Sequence, residues 1–449
     1  MQVLWYVAGI VAIAVVLAAS IALHELGHLF WAKRFGVRVD QYMIGFGPTL
    51  FSWRRGETEY GFKALPLGGY ISMIGMYPPE ATAEAEPAEA SSGRRSLGRW
   101  MRDLVHSARR ASAETIPPGE EGRTFYRLPV WRRLVIMVGG PFMNLLIALV
   151  CYAVLVSAFG TVQSTTTLGS VSQCVLPADA TRATCEAGDT PAPGAAAGLQ
   201  PGDQLLEIDG QDVEAWSDVQ DIVQPLAGQT VSVTVLRDGQ AIVTALTPVA
   251  STRYVYDRFG RVERDADGEK RTVTVGFIGI APTTERVRQP VTAALPMLGD
   301  NLQLVGEAIL TLPQKLVQAG QAAFGDEARD PDGPVSIVGV GRIAGEVTAS
   351  DQIDAQEKVI GVVSLAAQLN VALFAFNLIP LMPLDGGHAA GALWEGVRRG
   401  WARLRGRPAP RPFDAARLMP LTLVVFALLT AMGVLLIYAD LVKPITLGG

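Results

Sequence analysis

Charge is in short supply: Asp, Glu, Lys and Arg make up 18% of the 449 residues, against 49% hydrophobic residues. A chain this apolar is not wholly soluble, and it is too long for one ordinary domain. The net charge is only −5, arginine gathers in two segments instead of pervading the chain, and nothing points to a nucleic-acid partner. Three cysteines are present. Cys151 lies in an apolar run, whereas Cys174 and Cys185 flank a polar loop, which allows one disulfide if that loop faces an oxidising compartment. The N-terminus lacks the basic start and the small-residue cleavage site of a signal peptide, so the first apolar run is expected to remain as an uncleaved helix.

Long apolar runs are not scarce. Val3–Leu23, Leu134–Phe159, Val359–Pro380 and Leu418–Ala439 are each about 20 residues with few or no charges, the length of a membrane-spanning helix. The expected fold is therefore a polytopic α-helical membrane protein with four transmembrane helices. Arginines concentrate between the first two runs (Arg94, Arg95, Arg99, Arg102, Arg109, Arg110, Arg132, Arg133) and again between the last two (Arg398, Arg399, Arg403, Arg405, Arg407, Arg411). The positive-inside rule puts both loops in the cytoplasm, and both termini and the large 160–358 segment outside.

At the end of the first run stands His24-Glu25-Leu26-Gly27-His28. On a helix, H-x-x-x-H turns two imidazoles to one face a turn apart, as a tetrahedral zinc ion needs, and leaves Glu25 beside them to act as general base on water. Ionisable groups at membrane depth cost about 2.5 kcal/mol or more each and persist where they have a function. A metal centre is the reading. The other dense polar cluster in an apolar segment is Asn377-Leu378-Ile379-Pro380-Leu381-Met382-Pro383-Leu384-Asp385-Gly386-Gly387-His388, with Asp385 the natural candidate for a third ligand.

H-E-L-G-H in the first apolar run, paired with N-L-I-P-x-x-P-L-D-G-G near the C-terminus, resembles the site-2 protease family of intramembrane zinc metalloproteases, in its bacterial, sigma-regulating form. The resemblance implies one Zn²⁺ held by His24, His28 and Asp385, with Glu25 activating water. His388 stands as a fourth or substitute ligand, or as a group behind the ligands. Asn377 and Pro380 belong to the same motif. Gly139-Gly140-Pro141-Phe142-Met143-Asn144 is similar to a family Gly-x-x-x-Asn pattern near the active site, in which Asn144 either hydrogen-bonds across helices or simply packs.

The rest divides into expected segments. Residues 1–33 carry the first helix. Thr49–Trp53 and Thr58–Ala64 flank a turn at Arg54-Arg55-Gly56-Glu57 and read as a β-hairpin. Leu65–Met73, with Gly68 and Gly69, is unusually apolar for a loop; in the family the corresponding segment is a β-structured loop that dips into the membrane beside the active site and its edge pairs with extended substrate, the alternative being a hairpin seated on the surface. This membrane-associated hairpin and loop are bounded at 45–78. Residues 79–124 have a disordered composition, except that Leu97, Trp100, Met101, Leu104, Val105 and Ala108 recur at helical spacing opposite arginines, either on an anionic leaflet or packed on the protein. A second helix at 134–159 precedes an inserted extracytoplasmic α+β domain at 165–250. Its Gly194–Val213 stretch resembles the core of a PDZ domain, a module that binds extended peptide ends by strand addition. Residues 251–358 read as an extracytoplasmic connector, 359–388 as the third helix with the L-D-G-G motif, 389–417 as a cytoplasmic basic loop and 418–440 as the fourth helix.

The reading is thus an intramembrane zinc endopeptidase of the bacterial cytoplasmic membrane. The resemblance implies that it cuts single-span membrane proteins, such as an anti-sigma factor, after an upstream site-1-type protease has made a first external cut. Its partners are that substrate and the lipid bilayer. The rival is a non-catalytic adaptor with a structural zinc and a PDZ binding module; a structural zinc is usually closed by four protein ligands, whereas three are named here. A metal transporter would want acidic or histidine residues along several helices.

Overall fold

The computed structural model describes residues 1–79, 97–180, 182, 184–257, 260–265, 269–326, 329–330, 333–408 and 410–445. In chain order it begins with α1 (Gln2–Arg34), β1 (Val39–Arg55), β2 (Thr58–Met73), α2 (Leu97–Glu114) and α3 (Val130–Val154), which runs on as a π-turn through Phe159. There follow β3 (Thr161–Val171), α4 (Pro193–Ala196), β4 (Gln204–Ile208), β5 (Gln211–Asp212), α5 (Trp216–Val223), β6 (Val231–Arg237), β7 (Gln240–Leu246), β8 (Val249–Tyr254), β9 (Thr272–Phe277) and β10 (Ile280–Val287). The chain closes with α6 (Ala294–Phe324), α7 (Ile337–Ala349), α8 (Ala355–Asn377), α9 (Asp385–Leu404) and α10 (Met419–Val442). It forms two units, 1–158 with 290–449, and 159–289.

Four described helical segments are long and apolar enough to cross a membrane: Gln2–Arg34, Val130–Phe159, Ala355–Asn377 and Ala415–Val442. Between spans, small residues let backbones approach. A Cβ at Gly9 would collide with Ala344 and Thr348 of α7, and Thr348 Oγ1 donates to the Trp5 carbonyl at 2.7 Å. Asn370 of α8 donates to Ser20 Oγ of α1 at 2.9 Å, both buried. Such contacts hold apolar helices together where no hydrophobic drive exists between them. The segment Gly333-Pro334-Val335-Ser336 is held by buried Asp440 of α10, which accepts from Ser336 N at 2.6 Å and pairs with Arg329, whose side chain is 4% exposed.

The third apolar run does not continue to His388 as one helix. Pro380 and Pro383 lack an N–H and disfavour helical geometry in the residues before them, so α8 stops at Asn377 and a new helix begins at Asp385. The 389–417 stretch, read as a basic loop, is therefore largely α9. Leu65–Met73, expected as a β-structured loop, is the second half of strand β2. β1 and β2 bend and pair twice, Thr49–Arg55 with Thr58–Lys63 and Val39–Ile44 with Gly69–Met73, while Gln41–Ile44 also meet Glu59–Phe62. The segment 69–73 thus lies at the edge of this sheet, and no other strand pairs with it among the described residues. The disordered composition expected around 79–124 falls partly on 80–96, outside the described residues. The periodic stretch beyond it is α2, which packs on the protein through Arg109, bonded to Asp414, and through Ser112, whose Oγ accepts from Tyr77 N at 2.9 Å.

In the second unit the strand order is β10-β3-β4-β6-β7, with β5 on β4 and a separate β8–β9 hairpin. Its core gathers Leu168, Leu205, Ile208, Val219, Val233 and Val235, each worth about 1.5–3 kcal/mol on burial. The unit runs to Gln289, so the boundary read at 250 cuts off β9 and β10; residues 251–289 belong to this unit, while the rest of the 251–358 connector is mainly α6 and α7. Cys174 and Cys185 are disulfide-bonded.

Asp203 is buried at the start of β4, where it accepts from Arg237 Nε at 2.6 Å and Gln200 N at 2.8 Å. The guanidinium holds the Asp203 carboxyl below its ordinary 3.8, so the pair's stabilisation is full above that pH and fades as pH falls through the lower folded value. Arg237→Ala should weaken hydrogen-exchange protection of β4 at pH 7, with the gap to wild type narrowing below pH 3.8.

Candidate metal centre

His24 and His28 follow one another by a helical turn on α1, within a candidate span and both buried. Asp385 reaches them from the first position of α9. His24 Nε2 and His28 Nε2 lie 3.1 and 3.3 Å from Asp385 Oδ2 and 3.2 Å from each other. Among the described residues these three form the group able to hold a metal.

The donors fit a zinc ion. Bonds of about 2.0–2.1 Å set neighbouring donors of a tetrahedron about 3.3 Å apart, close to the separations here. Two imidazole lone pairs and a carboxylate oxygen aimed at one point repel each other unless a cation lies between them. The remaining ring nitrogens are fixed from behind. His28 Nδ1 donates to the Ile136 carbonyl at 2.7 Å, leaving Nε2 as the lone-pair atom. His24 Nδ1 lies 3.2 Å from the Asn144 amide nitrogen, and the Asn144 amide oxygen has no partner among the described residues. A half-turn of that amide lets its oxygen accept the Nδ1 proton and gives His24 the same tautomer.

All of this comes from a short stretch of α3 lying against α1. Neither Gly27 nor Gly139 has room for a Cβ, each being blocked by the other's backbone, so the two helices touch beside the histidines. A Cβ at Gly140 would enter the His28 ring. On the other side, one at Gly386 would run into Leu378 and Ile379, which lets the turn fold back on the start of α9 and present Asp385.

Other residues singled out in the sequence fall around this centre. A Cβ at Gly69 would stand 2.8 Å from Glu25 Cγ, so the sheet's outer segment passes beside the glutamate. Gly68, at φ +143, lies against Phe46 instead. Tyr42 donates to the Ala22 carbonyl at 2.7 Å, tying β1 to α1. His388, one turn along α9 from Asp385, is not in the three-donor group. Asn377 donates to Leu373 in its own helix at 2.9 Å, and Pro380 lies in the turn between α8 and α9. The Ile136 carbonyl was missed because a backbone acceptor has no sequence signature. Asn370 was missed for a different reason: it gave no motif, although a lone polar residue in an apolar run is itself a signal.

A helical membrane protein with two histidines and a carboxylate converging beside a glutamate belongs to the class of zinc metalloproteases. The model of peptidase family M50 matches residues 12–418. Zinc metalloprotease Rip1 of Mycobacterium tuberculosis is 34% identical over 463 residues, covering 98% of this chain and 99% of its own. Metalloprotease MmpA of Caulobacter vibrioides is 29% identical, covering 91% and 89%. Regulator of sigma-W protease RasP of Bacillus subtilis is 27% identical, covering 94% and 97%. The chain belongs to peptidase family M50, the site-2 proteases; it is a membrane zinc metalloprotease, which sets aside the adaptor reading.

Second elements behind metal-ligating histidines typically contribute 10–100-fold in affinity. Asn144→Ala and Gly140→Ala should each lower zinc affinity by about tenfold or more, read as zinc retained by purified protein after dialysis against graded chelator; Asn144→Gln, which keeps the acceptor, should lose less than Asn144→Ala.

Proposed function

We propose that the protein cuts the transmembrane segments of single-span membrane proteins within the bilayer, with His24, His28 and Asp385 as zinc ligands and Glu25 as general base. The observation that carries this is the convergence of the three donors, 3.1 to 3.3 Å apart, on a helix apolar enough to cross a membrane. Zinc bound there would polarise the scissile carbonyl and make water more acidic. Glu25 takes a proton from the attacking water and passes it to the leaving nitrogen. Asn144 and Ile136 keep both rings in the tautomer that offers Nε2. Substrate, unwound locally, adds as a strand to the free edge at 69–73, where Gly69 leaves the approach to Glu25 open.

The substrate class includes anti-sigma factors already shortened by a site-1-type protease. The name of one relative, regulator of sigma-W protease, supports this. The setting is a bacterial cytoplasmic membrane with both arginine-rich segments inside and both termini and the 159–289 unit outside, where the Cys174–Cys185 bond would persist. That unit acts as a PDZ-type filter. It has a cleft of about 650 Å³ lined by Trp216, Val219 and Val223 of α5 and by Ile278 to Pro282, and β10 is a sheet edge open to an added strand. Backbone pairing at the sheet edge offers little side-chain discrimination, so selectivity must come largely from access.

Glu25→Gln should leave zinc bound and abolish cleavage of a single-span substrate by purified protein in detergent, a loss that wild type reproduces on chelation. Cleavage by the mutant at the wild-type rate would defeat the assignment. Replacing 161–287 by a flexible linker should permit cutting of substrates that keep their full ectodomain, still dependent on Glu25. If the replaced form holds zinc and cuts shortened substrates yet refuses long ones as strictly as wild type, the filter is elsewhere.

A further inference from the structure

The helix that begins with Asp385 has two unlike faces. Its inner face, with Gly387, Gly391, Ala392 and Glu395, is buried. Glu395, fully buried, forms ion pairs with Arg133 near the start of α3 and with Arg399, each at 2.6 Å, and accepts from Phe413 N at 2.8 Å, just before α10. These bonds fix α9 at the end of the molecule where the α3 and α10 spans begin. The end of α1 is there too, since Phe35 stacks edge-on against Trp131 at 5.3 Å. Arg132 lies over both rings, at 5.4 and 5.2 Å from their centres. Trp and Arg gathered at span ends mark the membrane–water boundary.

The outer face of α9 is Leu393, Trp394, Val397, Trp401 and Leu404, between 56% and 83% exposed and recurring at helical spacing. One flank carries Arg398 and Arg405, the latter over the Trp401 ring at 4.4 Å. Beside Trp394 a cleft of about 550 Å³ opens between α9, α2 and the start of α10, lined by Arg398, Arg411, Phe413, Arg417 and Leu418. From 385 to 418 the carboxylates other than Asp385 are Glu395, buried among arginines, and Asp414, which lines the cleft, is bonded to Arg109 and lies 3.6 Å from Arg417, so that arginines outnumber carboxylates there. The face is therefore apolar at its centre and cationic at its rim. A bilayer offers the complement in one place, acyl chains beneath anionic headgroups. A second copy packed through this face would bring arginine rims together.

We propose that α9 lies in the plane of the membrane with its Trp394, Val397 and Trp401 face in the headgroup–acyl boundary, and that the Arg398–Arg411–Arg417 cleft binds the phosphate of an anionic phospholipid. Because Asp385 is the first residue of this helix, the lipid that seats α9 also seats the carboxylate facing His24 and His28. This rests on the membrane location and not on the proteolytic reading.

The test uses the full chain in nanodiscs of phosphatidylcholine, alone or mixed with phosphatidylglycerol. A nitroxide on Val397→Cys, with Cys151→Ser removing the free thiol, should be more accessible to oxygen than to a water-soluble nickel complex. Phosphatidylglycerol should be retained over phosphatidylcholine when the protein is extracted, counted by lipid mass spectrometry. Arg398→Gln or Arg417→Gln should each lower that preference about fivefold. Zinc retention in the wild type should be higher with phosphatidylglycerol present, and the difference should shrink in both variants. Nickel accessibility at Val397→Cys, or spin–spin broadening from a second copy, would overturn the proposal. So would an unchanged lipid preference in the arginine variants, or the same gain in zinc retention from inorganic phosphate in phosphatidylcholine alone.

Discussion

At Gly27 and Gly139 the backbones of α1 and α3 touch, and the arrangement of the metal centre follows from that contact. With the two helices this close, the Ile136 carbonyl reaches His28 Nδ1 and the Asn144 amide reaches His24 Nδ1. Both rings are then oriented before any ion arrives, which is what a metal centre of fixed geometry needs. A side chain of any size at either glycine would separate the helices and release both rings at once. The same close approach leaves the opposite side of α1 free for the sheet, whose Gly69 lies against Glu25.

Polar groups elsewhere in the apolar unit are similarly matched. Arg133 meets Glu395, Arg329 meets Asp440, and Asn370 meets Ser20. Each is buried with a partner, as the cost of an unpaired charge or amide away from water demands. All three pairs join elements distant in sequence, α3 to α9, 329–336 to α10 and α1 to α8. They fix the order of helices where apolar contact alone would allow several.

How much of this was legible in the sequence depended on how local the signal was. H-E-L-G-H and the apolar run that contains it lie within one helix, so composition and spacing expose them. Asp385 could be attached to the histidines only through resemblance, because nothing along the 361-position separation marks the contact. The turn at Pro380 and Pro383 was readable as a helix end, yet the apolar residues around it drew the third span too far. Arginines masked the apolar stripe of α9 from Leu393 to Leu404, so a helix was read as a loop. Leu65–Met73 carries Pro and two glycines, which argue against strand, and only pairing with Val39–Ile44 decides otherwise. The sheet of the second unit was cut short at 250 because the residues from Val255 to Arg271 separate β10 from the strands it joins.

The 361-position separation of His24 and Asp385 also sets an order in time. The chain is made from its N-terminus, so the helix with both histidines and the glutamate is inserted long before the carboxylate exists. Until α8 is complete and the turn has folded back to present Asp385, the two histidines on α1 have no carboxylate facing them. A chain stalled or truncated before α9 therefore lacks the carboxylate that faces the two histidines in the full-length protein.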